Sequence, residues 1–248
     1  MTSAAEKMAR AINRREFLTA AGMGGLAVVG TSPLARDPSS RAVGPLPPDA
    51  ADVMSPNEDL MQEHALLNRV LLIYEEAVRR LEGGILLDPE ILKKSALIIR
   101  HFIEQYHEKL EEDFVFPRFE KAGKLLDLVS VLRVQHKAGR ALTDRIISRA
   151  TPPSIAGAAD RKNLVADLSS FIRMYRPHES REGSVLFPAF RDLIPGREFQ
   201  ELGDMFEKKE HELLGPGGFE GQVAAVAAIE SQLGTYELSR FSPATPDH

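Results

Sequence analysis

The sequence predicts an all-α chain, an antiparallel up-and-down four-helix bundle with additional C-terminal helices. Three observations carry this. Four segments between residues 57 and 194 place apolar side chains at alternating steps of three and four, the spacing of a helix with one buried face. Pro, Gly and capping residues separate these segments by short connections, which favours antiparallel neighbours. No stretch shows convincing strand alternation.

Residues 1–42 read as a signal peptide of the twin-arginine type with the start of a linker. Arg14 and Arg15 precede Phe17 and Leu18, and a short Gly/Ala-rich apolar run ends near Gly30. That run is too short for a bilayer, which takes about 20 apolar residues, so no stable membrane span is expected. It resembles a bacterial twin-arginine export signal, although Asn13 stands where Ser or Thr is commoner. Both Ala35 and Ser40-Arg41-Ala42 offer cleavage points. The resemblance implies export in a bacterium, to the periplasm or outside the cell, by machinery that carries proteins already folded around their cofactors. Residues 43–56, rich in Pro, Asp and Ala without apolar period, read as a disordered linker.

The bundle spans residues 57–194. "SPNED" supplies Ser55 as a cap, Pro56 at the first helical position and acids in the first turn. The first helix then shows Leu60, His64, Leu67, Leu71, Tyr74, Val78 and Leu81 before Gly83-Gly84 stops it. Asp88-Pro89 opens the second, with Ile103, His107, Leu110 and Phe114 on one stripe and Gly123 at its end. The third, about 124–150, shows Leu125, Val129, Leu132, His136, Gly139, Thr143 and Ile146. After "TPPSIAG" the fourth, about 160–193, shows Leu164, Leu168, Phe171, Tyr175, His178, Glu182 and Val185. Pro177 lies inside it and should kink it or loosen one turn. Residues 195–235 read as a helical extension in two pieces joined by "GPGG", and 236–248 as a disordered tail.

Composition narrows the function. Hydrophobic residues make up 43% of 248, enough for a real core. A net charge of −5 gives no basic face for nucleic acid or an anionic membrane. With no cysteine, thiolate sites, iron–sulfur clusters and disulfides are excluded, so any metal is held by His, Asp, Glu or Tyr.

Each bundle helix carries one histidine on its core stripe. His64 and His107 stand at nearly equal distances from the first turn, as do Glu111 and His136 about the second and His136 and His178 about the third. The differences amount to one helical turn or less, so the four imidazoles share one layer. The chain also makes one phrase twice, "HEKLEEDFVFPRF" from His107 and "HESREGSVLFPAF" from His178, seventy-one residues apart. A residue four on from another lies on the same helix face, so His107 with Glu111 and His178 with Glu182 present a nitrogen and a carboxylate to one point. The domain reads as two related hairpins, each supplying half of a metal site. Burying that much polarity without a cation would be costly. The Phe-Pro-x-Phe tails read as structural.

Six N/O ligands with two carboxylates able to bridge suit a dinuclear iron or manganese centre better than one four-coordinate zinc. Zinc hydrolases are disfavoured because both motifs read H-E-x-x-E. The ferritin-like Glu-x-x-His pattern occurs at Glu104 and His107, but Tyr175 holds the equivalent place before His178.

His64, "HEKLEEDFVFP", His136 and "HESREGSVLFP", in that order on four helices, resemble the hemerythrin-like, or HHE cation-binding, family. The resemblance implies a bundle holding two Fe ions, oxo- or hydroxo-bridged. It implies His64, His107, Glu111, His136, His178 and Glu182 as ligands, with Glu111 and Glu182 bridging. Oxygen-carrying members have a second histidine four residues after the first on the third helix, where this chain has Arg140. They also place a carboxylate five residues after the fourth-helix histidine, where Glu182 is four after His178. Glu108 is a candidate seventh metal residue, an arrangement closer to the iron-sensing F-box hemerythrin domain of animals. Exchanging imidazole for carboxylate favours ferric iron over reversible oxygen carriage.

The expected function is a non-haem di-iron protein interacting with O2, peroxide or NO as a binding, storage or sensing module. A di-iron oxidoreductase acting on those molecules and a structural zinc or manganese bundle are the alternatives. His101 and His211 read as surface residues, Tyr106 and Tyr175 as packing residues near enough to donate hydrogen bonds to the site.

Overall fold

The computed structural model describes residues 54–243. The segment read as a signal peptide, most of the segment read as a linker and the last five residues, His248 among them, lie outside the described residues.

Six long helices and one short one make up the described chain. Helix α1, Pro56–Glu82, begins with a reciprocal cap: Ser55 Oγ accepts from the Glu58 N–H, and the Glu58 carboxylate accepts from the Ser55 N–H at 3.0 Å. Ser55→Ala should cost about 1 kcal/mol of stability, read as a lower urea midpoint at unchanged slope. Helix α2 covers 89–122, α3 Leu126–Arg149, α4 Pro152–Ala156 and α5 158–193. Helices α6, Gly196–Leu214, and α7, Gly218–Leu233, complete the order. The short α4, capped by Thr151, occupies the expected break before α5. Leu238–Phe241, inside the segment read as a tail, forms a 3-10 turn.

The pairings run antiparallel. Moving up α1, Asn57, His64 and Glu75 meet Phe187, Glu182 and Arg176 of α5 in descending order. Along α3, Gln135 meets His178 and Arg145 meets Asp167 of α5. Helix α2 packs on α1 and α3, closing the four-helix ring of α1, α2, α3 and α5. Helices α6 and α7 pack against α1 and α2, with Arg69 gripping Glu230 at 2.5 and 3.0 Å and Arg80 donating to the Leu233 carbonyl.

Two stripes depart from simple helical spacing; α2 widens first at Ile99–His107, and the repeated phrase explains the later departure that α2 and α5 share. Pro117 and Pro188 lack a backbone N–H, and their rings would press on the carbonyls of Asp113 and Ser184 in a regular helix. The chain widens instead into π-helical turns at Glu111–Val115 and Glu182–Leu186. Phe116 N–H reaches back five residues to the Glu111 carbonyl, and Phe187 N–H to that of Glu182. Each wide turn inserts a residue and rotates the next stretch of helix by about 100°. Val115, Phe116, Leu186 and Phe187 are therefore buried, while Phe114 and Val185, which an unbroken period puts in the core, are only partly so. Pro177 itself sits in an unbroken α-helical stretch, Ala158–Arg181; the turn that opens is the later one. Leu125 is another departure. It takes a left-handed conformation, φ 50°, in the turn before α3 and lies partly exposed rather than on the stripe.

Candidate metal centre

The wide turns begin at the two carboxylates of the centre. Glu111 and Glu182, both fully buried, face each other across the bundle layer that holds the four histidines. Glu182 Oε2 lies 3.3 Å from His64 Nε2 and 3.2 Å from His178 Nε2. Glu111 Oε2 lies 3.3 Å from His136 Nε2, and its Oε1 3.8 Å from His107 Nε2. Each carboxylate thus touches an imidazole of its own helix and one of the neighbouring hairpin. Ligand atoms of Glu111, His136, His178 and Glu182 converge within 4.8 Å of one another, as do those of His64, His107 and Glu111.

The outer imidazole nitrogens are already engaged. His107 Nδ1 is 2.7 Å from Glu63 Oε2, His178 Nδ1 donates to Gln135 Oε1 at 2.9 Å, and His136 Nδ1 is 3.2 Å from Glu112 Oε1. Such contacts fix the ring plane and leave Nε2 to the cavity. Phe187 stacks on His64 with centroids 5.2 Å apart, and Phe116 on His136 at 5.4 Å. The first Phe of each Phe-Pro-x-Phe tail is therefore the floor beneath a histidine of the adjoining helix as well as a core residue.

The electrostatics leave the carboxylates ready for a cation. Burial opposes charge on Glu182, but His178 and His64 outweigh it and hold the carboxyl well below its ordinary range. Burial likewise opposes charge on His136, yet Glu111 and Glu112 hold that imidazole up to about 10. Despite these charges, all four oxygens of Glu111 and Glu182 and the His136 Nε2 are buried without a hydrogen-bond partner. Polar atoms in that state are costly unless something binds them, and the donor set of imidazole and carboxylate fits a divalent or trivalent metal.

Glu108 lies with Glu112 and His136 in a further group whose ligand atoms fall within 4.8 Å of one another, and its oxygens have partners there. Its Oε1 accepts from the Tyr175 hydroxyl at 2.7 Å and its Oε2 lies 2.7 Å from Arg140 Nη2, which also reaches Glu112 Oε1 at 2.7 Å. Arg140, one of the two departures from the oxygen-carrier pattern, therefore faces Glu108, the candidate seventh metal residue. Gly139 makes room for this arrangement, since a Cβ there would stand 2.0 Å from the Tyr175 hydroxyl. Gly139→Ala should cost about 2 kcal/mol through overpacking, read in chemical denaturation of the metal-free protein, with Tyr175→Phe restoring part of the loss. Glu104, the single match to the ferritin-like pattern, pairs with Arg100 at 2.9 Å, and burial pushes its carboxyl up to about 7. His101 and His211 are exposed, bonded to Gln105 and to the Glu207 carbonyl within their own helices. Burial raises the phenols of Tyr106 and Tyr175 well above their ordinary value.

Sequence reasoning passed over Glu63, Gln135, Glu112 and the stacking role of Phe116 and Phe187. A signal was present, because Glu63 and Gln135 stand immediately before His64 and His136, at matching places in the two hairpins.

These features define a cation-binding helical bundle with buried His/Glu clusters able to hold a metal. Residues 55–190 match the Hemerythrin HHE cation binding domain, and the chain belongs to that family. An uncharacterized protein of Mycobacterium tuberculosis strain H37Rv is 44% identical over 237 residues, covering 94% of this chain and 92% of its own length. Uncharacterized proteins of M. tuberculosis strain CDC 1551 and of Mycobacterium bovis match to the same extent. No solved structure matches the chain. Among the described residues no helix is long and apolar enough to cross a membrane.

Proposed function

We propose that the chain is a non-haem di-iron protein that interacts with a small oxidant, O2, peroxide or NO. One observation carries the reading: two buried carboxylates with four unpartnered oxygens, each approached by imidazole nitrogens from both hairpins. His64 and His107 would hold one iron, His136 and His178 the other, with Glu111 and Glu182 shared. When bound, a di-iron pair supplies two one-electron reductants side by side in a dry site. The chain's own part is positional. Glu63, Gln135 and Glu112 hold the imidazole rings, and Phe116 and Phe187, carried inward by the wide turns, fix the planes of His136 and His64. Arg140 and Tyr175 fix Glu108 on the His136 side of the layer. A paired-arginine leader suits a protein loaded with metal before export, and a residue 1–42 fusion that fails to leave the cytoplasm of a twin-arginine-competent bacterium would count against that part.

The test is anaerobic loading with Fe(II), metal analysis, then separate exposure to O2, peroxide and NO. About two irons per chain with new near-ultraviolet absorption after oxidation is the expected result. Sustained turnover of one of these molecules would make it an oxidoreductase. Preference for zinc or manganese, with no absorption change on oxidation, would sink the di-iron reading.

A further inference from the structure

The two hairpins repeat each other, so each residue around His64 has a counterpart around His136. Met61, Asn68, Glu179 and Gly183 correspond to Arg133, Arg140, Glu108 and Glu112. On the face between α2 and α3 the counterparts are bound together. Arg140 joins Glu108 to Glu112, Glu112 reaches His136 Nδ1, and Arg133 lies over the Phe116 ring at 5.1 Å while donating to the Glu112 carbonyl. His136 has no exposed surface there, 0%.

On the face between α1 and α5 the replacements are small or uncharged, and the space remains. A cavity of about 240 Å³ opens beside His64, lined by Met61, Ala65, Asn68, Glu179 and Gly183. A Cβ on Gly183 would meet nothing within 4 Å, and His64 keeps 7% of its surface. Glu179 lines this cavity with the carboxylate that its counterpart Glu108 commits to an arginine. It is 6% exposed and hydrogen-bonds the uncharged Asn68 in place of an arginine, and its Oε2 has no hydrogen-bond partner.

We propose that the face between α1 and α5 admits the small molecule while the face between α2 and α3 is sealed, and that Glu179 receives a hydroperoxide there, hydrogen peroxide being the smallest. This rests on the di-iron reading. The single contact with Asn68 leaves one carboxylate oxygen with acceptor capacity, which a ligand carrying an O–H donor satisfies; a hydroperoxide does, whereas O2 and NO carry none. The reaction balances with the proposed metal: hydrogen peroxide takes two electrons, one from each ferrous ion, and two protons, and its O–O bond breaks to leave two waters.

The experiment uses the full chain loaded with Fe(II), mixed rapidly with hydrogen peroxide or with NO while the spectrum is followed. Met61→Arg with Asn68→Arg copies the arginines of the sealed face onto the open one; Ala65→Trp, at an exposed helix position, obstructs the mouth if the double variant folds poorly. Either should keep wild-type iron content yet slow both hydrogen peroxide oxidation and NO binding by about tenfold or more. Glu179→Leu should slow the hydrogen peroxide reaction by about tenfold while leaving the NO rate within about twofold. Wild-type rates in an iron-replete obstructed variant overturn the access face. Equal slowing of both ligands, or of neither, by Glu179→Leu overturns hydroperoxide recognition. A wild-type chain that binds no iron defeats the underlying reading instead, and metal analysis alone separates that failure from the others.

Discussion

Glu182→Ala is expected to abolish metal binding, taking the iron content from about two per chain to well under one, while far-UV circular dichroism stays that of a helical bundle. Glu182 is the one carboxylate that meets His64 and His178 together, so its removal takes an oxygen from both halves of the centre. Its carboxylate meets these two imidazoles and takes part in no helix cap or backbone hydrogen bond among the described contacts, so the helices keep their own bonds without it. Glu182→Gln keeps the shape but loses the charge and should bind iron far more weakly than wild type. A Glu182→Ala variant that retains full metal content would remove Glu182 from the centre.

Phe187→Ala should bring the largest loss of stability, about 3–5 kcal/mol, as expected for emptying a fully buried aromatic site. Urea unfolding of the metal-free protein measures it. Phe187→Leu, closer in volume, should cost about 1.5 kcal/mol or less, yet it still removes the flat surface against His64. If Leu restores stability but iron is still released faster than from wild type, the ring's contact with His64 is what holds the metal. If both variants retain iron equally well, Phe187 serves the core alone.

Much of the site is legible in the sequence because it obeys helical spacing. His64, His107, His136 and His178 fall on apolar stripes, and equal distances from the turns bring them to one layer. The illegible part arises where spacing breaks. The wide turns come from Pro117 and Pro188 acting on the residues before them, and a simple period carries Phe114 and Val185 into the core in place of Val115 and Leu186. The contacts of Glu63 and Gln135 cross between helices, so periodicity within one helix says nothing of them. Glu108 is ambiguous for a different reason: its direction depends on Arg140 and Tyr175, which lie on two other helices.

The widened turns turn an interval of sequence into a fixed measure. From His107 to Pro117, and again from His178 to Pro188, the chain counts ten residues, and both imidazole and aromatic floor are set by that count. One residue more or fewer would swing Phe116 or Phe187 about 100° away from the histidine it underlies. A change of length that spares the floor is therefore expected in a connection such as 151–157, while the interval between histidine and proline is held like the tooth pitch of a gear.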